Sequence, residues 1–115
     1  MELVALVGSD KENLGQITAL LNRGDWDKTI LVKNKDSEFP SGKSEIISVD
    51  SSKPLIELKD ELIKKLKEKV KGFEVGLSIA SGTGKEHMAL ISALLSIPVG
   101  IRLVVYTKEG IKFIN

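Results

Sequence analysis

The fold is decided by "EVGLSIASGTGKEHMALISALLSIPVGIRLVVYTKEG", residues 74–110. Val75–Ile79 reads as a buried strand, Lys85–Ser96 as a helix and Ile101–Tyr106 as a further strand. Between the first strand and the helix stands Ser81-Gly82-Thr83-Gly84-Lys85, a glycine turn that ends on a lysine. Helix N-terminal amides at the carboxyl end of a strand are well placed to meet phosphate. The helix is apolar nearly all round, through Met88, Ala89, Leu90, Ile91, Ala93, Leu94, Leu95 and Ile97. Such a helix calls for cover on more than one side, and in a small domain a second subunit is a natural second cover.

Upstream, Glu2–Val7 is a short apolar strand ended by Gly8. Leu14, Ile17, Thr18, Leu20 and Leu21 recur at helical spacing, and Arg23-Gly24 closes that helix with a cation and a C′ glycine. Thr29–Val32 is a second strand and Glu45–Val49 a short third one. Between them Asn34–Ser44, "NKDSEFPSGKS", is a polar loop holding Pro40 and Gly42. Pro54–Val70 is an amphipathic helix with Leu55, Leu58, Leu62 and Leu66 on one stripe and Ile56, Ile63 and Val70 beside it. Asp60 with Lys64 and Glu61 with Lys65 place acid before base at i,i+4 on its solvated side. Downstream, Thr107–Gly110 is a turn, and Ile111–Ile114 returns as an antiparallel edge strand.

The order β-α-β-β-α-β-α-β-β, with short and little-alternated apolar runs, predicts a single α/β domain over residues 1–115. The expected architecture is Rossmann-like and doubly wound, with a mainly parallel sheet ordered 3-2-1-4-5 and helices on both faces. Composition agrees: 115 residues, 42% hydrophobic and 29% charged, describe an ordinary globular chain. A net charge of +1 supplies no basic field for duplex nucleic acid. Without cysteine there is no disulfide framework or thiolate metal site, and His87 alone leaves a zinc site short of ligands. No apolar run is long enough for a bilayer, and Met1 leads straight into the first strand, so the expectation is a cytoplasmic protein with no membrane partner. The Lys- and Glu-rich chain, lacking Cys and holding only Gln16 as glutamine, leans toward a thermophilic composition.

Two loops share a chemistry. Ser9-x-x-Glu12 after the first strand and Thr83-x-x-Glu86 after the fourth both fit the capping box. Helix capping is the simplest role of Ser9 and Thr83, and it is compatible with anion binding by the same loops. In a doubly wound sheet the first and fourth strands lie side by side with their helices on opposite faces, and ligands enter the crevice at that switch point. The candidate binding residues are therefore Gly8, Ser9 and Asp10 in one loop and Ser81, Gly82, Thr83, Gly84 and Lys85 in the other. Lys85 supplies a point charge for phosphate, and Lys11 is its competitor. The Walker A spacing fails at Ile79 and Glu86, and G-x-G-x-x-G is incomplete after Gly82-x-Gly84. Neither an ATPase nor an ordinary dehydrogenase is expected, and no cofactor is called for. His87 reads as a structural hydrogen-bonding residue and Trp26 as packing. Arg102 pairs an acid or marks a dimer face, and the sequence does not choose.

These motifs resemble the CARF family, the CRISPR-associated Rossmann-like domain. Its late strand–S/T-G-G-T-K-x-M–helix motif stands here as Ser81-Gly82-Thr83-Gly84-Lys85-Glu86-His87-Met88-Ala89, with one Thr–Gly pair exchanged. The likeness covers nearly the whole chain, although Asn34–Ser44 is too short for the helix the family usually places there. The resemblance implies a homodimer that binds a cyclic oligoadenylate across its two-fold axis in antiviral signalling. It equally admits a metal-independent ring nuclease, in which Lys85 and the Gly82–Gly84 amides stabilise charge and Ser9 positions the ribose or phosphate. Outside the family, the same loops fit a Rossmann-like protein for another nucleotide or phosphorylated metabolite.

Overall fold

Six strands form one sheet in the order β3-β2-β1-β4-β5-β6. They are β1 Glu2–Val7, β2 Lys28–Asn34, β3 Glu45–Val49, β4 Glu74–Ser78, β5 Gly100–Thr107 and β6 Gly110–Phe113. The first five run parallel and β6 returns antiparallel along β5. The structure is a computed structural model and describes residues 1–115. The architecture is the Rossmann-like α/β fold the sequence predicts, with the antiparallel strand at its edge.

Three helices cover the sheet: α1 Leu14–Arg23, α2 Leu55–Lys69 and α3 Gly84–Ser96. Alternation along β1 sorts the two layers. Val4 and Leu6 face α2 and α3, whereas Leu3, Ala5 and Val7 face α1. Every residue of β1 is buried, as the central strand of a sheet covered on both faces requires. On the first face Leu58, Leu62 and Leu66 of α2 and Ala89, Leu90, Ala93 and Leu94 of α3 close over Ile30, Val32, Ile47, Val49, Val75 and Leu77. Burying each such leucine contributes about 1.5–3 kcal/mol relative to leaving it in water. On the second face Ile17 and Leu20 of α1 pack on Leu3, Ala5 and Leu31. The Gln16 side chain fastens α1 to β5, accepting from the Tyr106 N–H at 3.0 Å and donating to its carbonyl at 2.8 Å.

Four local expectations are corrected. Gly24 is not a left-handed C′ residue; its φ of −86° is extended, and glycine is needed because a Cβ would meet Trp26 Nε1 at 2.1 Å. Trp26 itself packs as expected and donates to the Leu20 carbonyl at 2.8 Å. Ile56 lies outside the buried stripe of α2 and is 62% exposed. Glu61 does pair with Lys65 at 3.0 Å, but Asp60 pairs with its neighbour Lys59, not Lys64. Finally, Ser9 caps no helix: the chain enters a short 3-10 turn, Lys11–Asn13, whose N-cap residue is Asp10.

The third helix keeps an uncovered apolar face, with Met88 60% and Leu95 65% exposed. No helix is long and apolar enough to cross a membrane.

Candidate functional site at the carboxyl end of the sheet

Because β1 and β4 are neighbours with α1 and α3 on opposite faces, the Gly8–Asp10 and Ser81–Lys85 loops meet at the switch point. The approach is close: a Cβ on Gly8 would lie 2.5 Å from the Gly82 backbone. Gly82 sits at φ +105°, where only glycine is unstrained, and a Cβ there would strike Leu6 Cδ2 at 2.5 Å.

The two loops are stitched by their own polar groups. Ser81 is fully buried; its Oγ accepts from the Gly8 N–H at 2.9 Å and donates to Asp10 Oδ1 at 2.7 Å. The same Asp10 oxygen accepts from the Gly82 N–H at 2.8 Å, and Oδ2 accepts from Asn13 Nδ2 at 2.7 Å. The Asn13 amide, then the Ser81 hydroxyl and the Gly82 N–H, hold the Asp10 carboxyl well below the ordinary carboxylate range. His87 has the structural role expected of it, with Nε2 2.7 Å from the Ser81 carbonyl.

On the α2–α3 side the arrangement opens. Thr83 and Glu86 complete the capping box: Thr83 Oγ1 accepts from the Glu86 N–H at 3.2 Å, and Glu86 Oε1 accepts from the Thr83 N–H at 2.9 Å. His87 N–H goes to the Thr83 carbonyl, so the amides of Gly84 and Lys85 remain without a partner within the chain. Lys85 Nζ donates to the Ser51 carbonyl at 2.9 Å, one of three protons it can donate. Ser9 is exposed and makes no hydrogen bond of its own. Lys85, Thr83, Ser9 and Gly8 line a cleft of about 320 Å³.

Of the candidate residues, then, Gly8, Ser9, Thr83 and Lys85 face this cleft, Gly84 opens the helix behind it, and Asp10, Ser81 and Gly82 form the stitch beside it. Lys11 lies outside the lining. Sequence reading missed Val7, Asn34, Ser37, Ser51 and Glu86, which complete the wall. Their signal is positional: residues at or just past the ends of β2 and β3 gather at the same carboxyl edge as those past β1 and β4. Glu86 is the only carboxylate in the lining, and its second oxygen accepts from Ser51 Oγ at 3.0 Å. Asp50, just before Ser51, is turned to the Ser52 hydroxyl at 2.6 Å and to Lys35 at 3.5 Å.

A larger groove of about 640 Å³ lies at the amino end of the strands, lined by Met1, Glu2, Lys28 and Phe73 among others. Its buried carboxylate, Glu2, is already occupied. Burial pushes the Glu2 carboxyl up, but the Gly72 and Lys71 amides and Lys28 outweigh it and hold it low. The carboxyl-end cleft, which keeps unspent donors, is the better candidate. Compared with protein-family models and with curated protein sequences, the chain matches none.

Proposed function

We propose that the chain binds an anionic nucleotide in the cleft beside the Gly8–Asp10 and Ser81–Lys85 loops, with Lys85 on phosphate. The nucleotide is a cyclic oligoadenylate, held at the crevice of a homodimer in CRISPR-linked antiviral signalling. The observation that carries the reading is the surplus of donors in the cleft. Lys85 keeps two ammonium protons, the Gly84 and Lys85 amides open α3 unpartnered, and Ser9 is free. The carboxylates nearby, Asp10 and Glu86, have both oxygens engaged by the chain's own groups. The choice of ligand rests on the resemblance of Ser81–Ala89 to the CARF motif, and the two-fold assembly on the exposed Met88 and Leu95 of α3.

Binding is favoured over cleavage for the same reason. Ring opening needs a group to take the proton of a ribose 2′-hydroxyl, and neither carboxylate has an unengaged oxygen for it. Incubation with purified cyclic tri-, tetra- and hexa-adenylate should show retention without linear product. Linear product would make the protein a ring nuclease, and no retention of any ring would turn the reading to another phosphorylated ligand. Lys85→Ala should weaken binding by about 1.5–3 kcal/mol, less at high salt, with little change in thermal stability. Light scattering at micromolar concentration should report about twice the chain mass.

A further inference from the structure

Asn34 is the last residue of β2. The registers Val7↔Lys33 and Asn34↔Val49 set it next to Gly8 on one side and at the end of β3 on the other. The chain leaving β3 turns so that the Ser51 N–H donates to Asn34 Oδ1 at 3.0 Å. A backbone N–H can only donate, so this bond decides which end of the amide is oxygen. The nitrogen is the end left over, and its two protons have no partner within the chain. Asn34 also lines the cleft that holds Lys85.

Ser51 makes that orientation rigid. Its N–H goes to Asn34, its hydroxyl to Glu86 and its carbonyl receives Lys85. All of its polar groups are thus spent on fixing its neighbours, and Asn34 cannot exchange its oxygen and nitrogen without leaving the Ser51 N–H unpaired.

We infer that Asn34 is a ligand-binding residue whose amide nitrogen donates to an oxygen or ring nitrogen of the nucleotide whose phosphate meets Lys85. This rests on the nucleotide reading of the cleft and adds to it which groups are read. An asparagine recognises adenine in full by donating to one ring nitrogen and accepting from the exocyclic amine together. Here the oxygen already accepts from the Ser51 N–H, whereas both protons of the nitrogen are unspent, so donation to a ligand acceptor is the contact the side chain has yet to make. The donors gathered here, Lys85 Nζ, the first amides of α3 and Asn34 Nδ2, suit phosphate, ribose oxygens and ring nitrogens.

The decisive variant is Asn34→Asp, which keeps an oxygen for the Ser51 N–H and replaces the two donors by an anionic oxygen. Calorimetric titration with cyclic tetra-adenylate should show affinity reduced about tenfold or more, with the thermal midpoint retained. Unchanged affinity in Asn34→Asp, alongside lost affinity in Lys85→Ala, would overturn the role of Asn34 and leave the nucleotide reading standing. A collapsed melt in Asn34→Asp would make the residue structural, and no binding of cyclic tri-, tetra- or hexa-adenylate by the unmutated protein would remove both readings.

Discussion

The loop after β1 and the loop after β4 touch, carry the same S/T-x-x-E spacing, and are built for different work. In the second, Thr83 and Glu86 satisfy each other's backbone and launch a helix of thirteen residues. In the first, Ser9 and Glu12 make no such exchange, and a 3-10 turn intervenes before α1. The residue between them, Asp10, reaches instead to Ser81 and Gly82. One loop is capped by its own residues, whereas the other holds its neighbour in place. A capping box is a local device, and a stronger tertiary demand on an intervening residue can dismantle it. The consequence for the site is direct. The Gly82 amide is spent on Asp10, so a ligand is left with the α3 side, where Lys85 and two helix amides are open.

The contrast breaks most sharply at Gly82. Gly82→Ala places a Cβ at positive φ and 2.5 Å from Leu6, so stability should fall by about 2–4 kcal/mol. Urea unfolding measures this as a lower midpoint at constant slope. A loss under about 1 kcal/mol would mean that the two loops are not locked together.

Next comes the stitch itself. Asp10→Ala removes three hydrogen bonds to a carboxylate and should cost about 2 kcal/mol. Its pH dependence has a definite sign. The Asp10 pKa is lowered on folding, so its stabilisation is present above the unfolded value of about 3.9 and is lost as pH falls through the folded value. Glu2, Glu45, Asp50 and Glu61 are lowered too and act in the same direction. Melts recorded from pH 6 downward should therefore drop more steeply in the native chain than in Asp10→Asn, since the pH window is set by these carboxylates. Parallel curves for the two proteins would show that Asp10 carries no linked proton.

The smallest effect sharpens the comparison best. Thr83→Ala should cost about 1 kcal/mol as the loss of a cap, whereas Ser9→Ala should change stability by less than about 0.5 kcal/mol. Chemical unfolding of the pair tests the difference between the loops directly. Equal losses would restore Ser9 as a cap.

Much of the molecule was legible in the chain. Short apolar runs bounded by Gly8, Gly24 and the polar Asn34–Ser44 loop placed the first strands and helix, and leucine spacing placed α2. The order of those elements then limited the sheet to few arrangements, because helical crossovers join parallel neighbours. The Thr83 box was equally readable, since all its partners lie within three residues. Lys85 was found through its position at a helix start.

What local pattern could not supply was partnership between distant residues. Gly24 looks like a helix stop in sequence, yet its reason is the indole of Trp26. Ser9 and Asp10 look interchangeable as caps, and only the adjacency of β1 and β4, seventy residues apart in the chain, assigns Asp10 to Ser81 and Gly82. Asn34, Ser37, Ser51 and Glu86 come to one wall because four parallel strands end on the same edge. The sequence by itself determined the elements and their order, because propensity and hydrophobic period act over a few residues. The tertiary structure alone decided which polar groups are spent and which remain for a ligand, because a hydrogen bond has one geometry and many possible claimants until the chain is folded.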